Sequence, residues 1–184
     1  MAFVAAVLVG LVFGAGDQYL GSSTAVNVLG WWTISVSGLS APWLILPFLV
    51  GSMQGRPRRA AVVGVVVTLA ALAGYFAMTL SPVEGVHLDA SELRGLLGSN
   101  RLNEVGGLVM GPLFGWLGYR WRTRRSWIAA TLVVGALCLE PLAVIAAGRG
   151  AGRSGLVWTV EVVAGLGTGT WFLLAARQNH RRLA

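Results

Sequence analysis

Two acidic residues lie inside long apolar stretches of this chain: Glu140, followed by Pro141, and Glu161, between Val160 and Val162. A carboxylate at the centre of a bilayer costs at least about 2.5–3.5 kcal/mol, so acids kept there are the most informative residues of the chain. Glu140 stands nine residues before Arg149 and Glu161 eight residues after Arg153, which is about 13 and 12 Å along a helix. On antiparallel neighbouring helices the two acids reach one level, and Pro141 leaves a backbone carbonyl nearby without its usual amide. Two ionised carboxylates in one pocket repel, and a bound cation relieves the repulsion. The plainer alternative is a structural one, with each glutamate hydrogen-bonded to a neighbouring helix.

Further polar and aromatic residues fall at the same level. Asp17, Gln18 and Tyr19 follow the first apolar run, Tyr75 ends the third, and Asn103 and Glu104 open the fourth. Trp158 is one helical turn from Glu161. Carboxylates beside aromatic faces suit an amine or another organic cation, through charge pairing and cation–π contact. Glu140, Glu161, Trp158, Tyr75, Glu104 and Asp17 are therefore the candidate ligand-binding residues. Interfacial Trp and Tyr are also ordinary in membrane proteins, which leaves a purely architectural role open.

The elements that must position these groups are transmembrane helices. Of 184 residues 55% are hydrophobic and 11% charged, far from a soluble composition. Stretches 59–80, 126–147 and 155–176 each reach the roughly 20 residues that cross a bilayer. Residues 102–119 are shorter and glycine-rich, but Arg120, Trp121 and Arg122 follow as an interfacial anchor. Residues 1–16 carry no basic side chain ahead of their apolar run and no clear cleavage site, so they read as a first helix rather than a signal peptide. Residues 24–53 are too long for one plain span and are interrupted by Gly38, Ser40, Pro42 and Pro47. We read them as a half-helix or interfacial segment over 24–37, followed by a span over 39–53. An independent crossing by 24–37 would give seven spans and move the N-terminus outside.

Arginine placement orients the chain. Arg56, Arg58 and Arg59, then Arg120, Arg122, Arg124 and Arg125, then Arg177, Arg181 and Arg182 form clusters separated by two spans each. By the positive-inside tendency all three are cytoplasmic. The expected fold is all-α, a polytopic bundle of about six spans in one domain, with both termini cytoplasmic and the chain in the cell membrane. Asp89 as N-cap, Glu92 three residues on, Leu93, Leu96 and Leu97 as a stripe and Gly98 as a stop predict a short helix in the outer loop.

Packing is expected to rest on glycine. Gly107, Gly111 and Gly115 recur every four residues, and Gly10 with Gly14 repeats the spacing, as does Gly165 with Gly169. Such faces let backbones approach closely, either within the chain or against a partner subunit.

Other chemistry is poorly supported. The formal charge of +7 sits in loops between spans, so nucleic acid is not an expected partner. Lone Cys138 excludes a disulfide framework or thiol pair. His87 with Asp89 and Glu92 is a weak metal set, and no metal or other cofactor is expected. No phosphate-binding loop, zinc-protease helix or nucleophile elbow is present, and no enzymatic activity is assigned.

The stretches APWLILPFLVGSMQGRPRRAA at 41–61 and GYFAMTLSPVEG at 74–85 resemble a family of small, uncharacterised actinobacterial integral membrane proteins. That resemblance implies location and architecture but no activity. In size, span number and termini the chain also resembles the substrate-binding S components of energy-coupling-factor transporters. This second resemblance implies docking of an energising module on small residues of the first helix, Ala2 and Ala6 or Gly10 and Gly14, and a cap over 17–37. The function expected is thus a membrane-embedded substrate-binding subunit of a small-molecule uptake system, its ligand a cationic vitamin or amine. The alternative is a structural or regulatory membrane protein docking another subunit through its glycine faces.

Overall fold

The computed structural model describes residues 2–81, 101–146 and 155–183, with side chains 2, 101–104 and 177–183 excluded. The helix expected over 89–98 and the metal set at His87 lie outside them. The described chain is mostly helical: α1 (Ala2–Gly21), α2 (Ser23–Leu29), α3 (Trp32–Ser37), α4 (Ala41–Ser52), α5 (Pro57–Thr79), α6 (Arg101–Arg124), α7 (Trp127–Ala146) and α8 (Gly155–Leu183). There is no strand among the described residues.

Four helices are long and apolar enough to cross a membrane: Phe3–Gly21, Pro57–Thr79, Trp127–Ala146 and Gly155–Ala176. The expected six exceed this by two. Helix α4 has only 12 residues, about 18 Å at 1.5 Å per residue, which is short of the roughly 30 Å of hydrocarbon. Helix α6 has 24 residues but carries Arg101, Glu104, Arg120, Arg122 and Arg124. The outward faces are apolar, with Val4, Leu8 and Val12 on α1, Leu139 and Leu142 on α7, and Leu156, Val160 and Leu166 on α8 all exposed. Large apolar surfaces of this kind are expected of helices that meet lipid.

The half-helix expected over 24–37 is instead two short helices. Ser22 caps α2 by accepting from the Ala25 amide at 3.0 Å. Gly30 ends it at φ 106, a left-handed conformation that favours glycine. Trp32 Nε1 then donates to the Leu29 carbonyl at 2.8 Å, turning the chain into α3. Gly38 closes α3, and Pro42 in the first turn of α4, where a missing amide is harmless, starts the next helix.

Helix α1 packs along α5, α5 along α6, and α6 along α4, while α7 and α8 pair with each other and α7 also meets α4 and α6. The glycines set the closest of these seams. A Cβ at Gly14 would run into the Ala71 carbonyl, and one at Gly115 would meet the Ala60 carbonyl of α5. Gly10 faces Val67 and Ala70, Gly107 faces Thr68 and Leu72, and Gly111 faces Gly64 and Thr68. Ala6 is buried as well, packed with Val63 and Val67. The Gly10–Gly14 face of α1, with Ala6, and the Gly107–Gly111–Gly115 face of α6 are therefore packed inside the chain.

The arginine-bearing ends come together. Arg59 lies over the Phe3 ring at 5.6 Å, Arg120 over Trp116 at 4.8 Å and Arg125 over Trp121 at 5.1 Å. Arg122 donates to the Ser52 carbonyl at 3.1 Å. Beneath them an aromatic core joins α4, α6, α7 and α8: Phe48, Phe114, Trp121, Val133 and Phe172, with Trp121 and Phe172 centroids 4.2 Å apart. This places the first two arginine clusters at one end of the bundle, and the acids Asp17, Glu140 and Glu161 at the other.

Candidate functional site

A cavity of about 400 Å³ opens at the acid-bearing end, between α1, the α3–α4 junction, α5 and α6. Its size suits a small organic molecule. Asp17 of α1 faces it, and Ser37, Gly38, Leu39 and Ser40 form the junction side. Trp43 and Leu44 come from α4, and Leu72, Tyr75 and Phe76 from α5. Gly106, Gly107, Met110 and Gly111 complete the wall from α6, where the absence of side chains on the glycines leaves the room.

The aromatic side of the cavity is continuous. Trp43 stands edge-on to Phe13 at 5.3 Å and to Tyr75 at 6.1 Å, and Tyr75 edge-on to Phe76 at 5.9 Å. Edge-to-face packing of this kind fixes ring orientation and is favourable in itself. Trp43 Nε1 donates to Asp17 Oδ2 at 3.2 Å, which holds the half-buried carboxylate at the cavity wall. One carboxylate among three rings can pair with an ammonium group and offer it ring faces at once. The Thr68 hydroxyl on the same wall is already committed to the Gly64 carbonyl at 2.9 Å.

Glu140 and Glu161 are outside this lining. They are neighbours: the Glu161 carboxyl is close enough to Glu140 to feel its charge, although no hydrogen bond joins the two. Glu140 is also joined to α4, accepting from the Ser40 amide on Oε1 and from the Ala41 amide on Oε2 at 2.7 Å. These amides belong to the first turn of α4, which has no intrahelical acceptor for them and carries the positive end of the helix dipole. Ser40 is shared, since it lines the cavity and donates to Glu140. Thus Asp17 and Tyr75 belong to the cavity, and Glu140 and Glu161 to a neighbouring carboxylate pair behind its junction wall.

Trp158 is half-buried on α8 and makes no ring contact among the described residues; it does not line the cavity. The Glu104 side chain is outside the described residues, although its helix turn leads into Gly106 and Gly107. A second space of about 360 Å³ lies between α7 and α8, lined by Trp127, Val134, Cys138, Leu139 and Phe172 among others, with no charged side chain. No group of three or more His, Cys, Asp or Glu fit to hold a metal occurs among the described residues.

Sequence reasoning missed Trp43 and the Ser40–Ala41 amides. The signal was present: a serine followed by Pro42 and Trp43 marks a helix start, and a helix start inside an apolar bundle needs an acceptor. Comparison with protein-family models, with curated proteins and with solved structures finds no match to this chain.

Proposed function

We propose that this chain is a membrane-embedded binding subunit for a small organic cation, serving its uptake. The observation that carries the reading is the cavity of about 400 Å³ in which Asp17 stands beside Trp43 and Tyr75. A carboxylate fixed by an indole N–H, with ring faces around it, favours a primary or quaternary ammonium over a neutral or anionic solute. The cavity's position supports the direction: it sits at the end of the bundle opposite Arg59, Arg120, Arg122 and Arg125. With those arginines in the cytoplasm the cavity faces outward, and both termini are cytoplasmic. On this reading α4 and α6 complete a six-span bundle, α4 reaching across only together with the α2–α3 segment that precedes it.

The test is a matched pair of probes. Purified protein in nanodiscs is titrated with choline and with 3,3-dimethyl-1-butanol, which has the same shape without the charge. Choline should stabilise the protein and the alcohol should not. Asp17→Asn, whose amide oxygen still accepts from Trp43, should remove the choline effect and leave the fold intact. Equal responses to both probes, or a choline response unchanged in Asp17→Asn, would reject the reading.

A further inference from the structure

Among the described acidic side chains, Glu161 is the one the bundle buries with nothing to answer its charge. It is 5% exposed, both carboxyl oxygens are buried, and neither meets a hydrogen-bond donor. The Glu140 carboxyl beside it does not help, because two ionised carboxylates can only accept. Glu140 is answered from its other side by the Ser40 and Ala41 amides at the positive end of α4. The pair therefore carries two charges and one partial compensation. A carboxylate buried without donor or countercharge is among the costliest arrangements in a protein interior.

We propose that Glu140 and Glu161 form a binding site for one small monovalent cation, a proton or a sodium ion, held between the two carboxyl groups against the N-terminus of α4. Two carboxylate charges set against the α4 dipole, worth roughly half a charge, leave about one and a half units, most of which one monovalent cation removes. A divalent ion is disfavoured by ligand number. Calcium takes six to eight oxygens and magnesium keeps several waters, whereas the seam around Glu161 is built of Leu137, Cys138, Val162 and Gly165. Pro141 also supplies no amide hydrogen to the Leu137 carbonyl, one turn before Glu140, which leaves that oxygen without its usual intrahelical donor.

No described cation competes for the role. On α7 the other titratable group is Cys138, whose Sγ lies 4.0 Å from the Val162 carbonyl. Helices α3 and α4 contribute no charged residue, and α1 contributes Asp17, already bonded to Trp43. The arginines of α6 whose side chains are described lie in its C-terminal turns at the opposite end, Arg120 over Trp116 and Arg122 on the Ser52 carbonyl. Because Ser40 both lines the cavity and donates to Glu140, occupancy of the pair is transmitted to the first turn of α4. The cation site and the cavity are linked through that turn.

The experiment uses the full chain in nanodiscs without any organic cation. Melting temperature is measured as sodium chloride replaces caesium chloride at constant ionic strength, and separately from alkaline to mildly acidic pH. For a sodium site, sodium should raise the Tm by roughly 3 °C or more at tenfold excess over its Kd. For a proton site, acidification should raise it and sodium should have no effect. Glu161→Gln, an uncharged isostere, should abolish whichever dependence is seen, while Asp17→Asn should retain it. A wild type insensitive to both sodium and pH overturns the proposal, as does a Glu161→Gln protein with the wild-type dependence. If Glu161→Gln does not fold, infrared difference spectra of the wild type decide. A carboxylic-acid band lost at alkaline pH, or carboxylate bands shifted by sodium, supports the site, and the absence of both overturns it.

Discussion

The Ala41 amide donates to Glu140 Oε2 at 2.7 Å, so the start of α4 is fastened to a side chain ninety-nine positions later on α7. With the Ser40 amide this is a two-point clasp between a short helix and a long one. It gives Glu140 a structural duty apart from the pair it forms with Glu161. Glu140→Leu should therefore destabilise the bundle by about 2–4 kcal/mol, because it strands two amide donors where water is scarce. Glu140→Gln, which keeps one acceptor, should cost less, about 1 kcal/mol. Thermal unfolding in one detergent gives the comparison, and equal losses for the two variants would mean that the clasp is not what stabilises α4.

Close packing of α1 on α5 makes a prediction with its own control. A Cβ at Gly14 would collide with the Ala71 backbone, whereas one at Gly16 meets nothing within 4 Å. Gly14→Ala should cost about 1–3 kcal/mol by forcing the helices apart. Gly16→Ala should be neutral or slightly stabilising, by up to about 1 kcal/mol, through helix propensity. Parallel melting curves settle the contrast, and an unperturbed Gly14→Ala would show that α1 does not pack there.

On α6 the stripe serves the monomer. Gly111 approaches Gly64 and Thr68 of α5, so Gly111→Leu should lower folding yield and Tm before it affects any assembly. Size-exclusion chromatography with a folding reporter distinguishes the outcomes. A folded, stable Gly111→Leu protein that had lost a partner would move this face from the interior to an interface.

Topology follows from the arginine end. A reporter fused after Arg182 should be active only in a cytoplasm-reporting format, and a tag inserted near Gly85 should be labelled from outside. The reverse pattern would invert the outward-facing assignment of the cavity.

Much of the helix content was legible because long apolar runs have few other solutions in lipid. The boundaries of α5 and α7 differ by one or two residues from those read off the sequence, and the apolar part of α8 coincides with it at Gly155–Ala176. What periodicity could not supply was who faces whom. The matched depths of Glu140 and Glu161 were visible in residue counts, but the partners of Glu140, the Ser40 and Ala41 amides, come from a helix start a hundred positions away. The half-helix over 24–37 failed at Gly30, whose positive φ is a backbone property that a run of apolar letters conceals. Nothing in the spacing around Trp43 ties it to Asp17, 26 positions earlier, and their bond appears only when α1 and α4 are set side by side.

The seam between Gly14 and Ala71 also has a consequence in time. At synthesis rates of about 5–20 residues per second, the ribosome needs on the order of several seconds to pass from one to the other. Throughout that interval α1 is in the bilayer with its glycine face open to lipid and no α5 to cover it. It must be a self-sufficient span, held by its own apolarity alone. The sequence from Phe3 to Gly16 meets that demand, since no charged residue appears until Asp17. The helix that ends as one wall of the cavity is thus first held in lipid without α5, and its composition answers to that earlier condition.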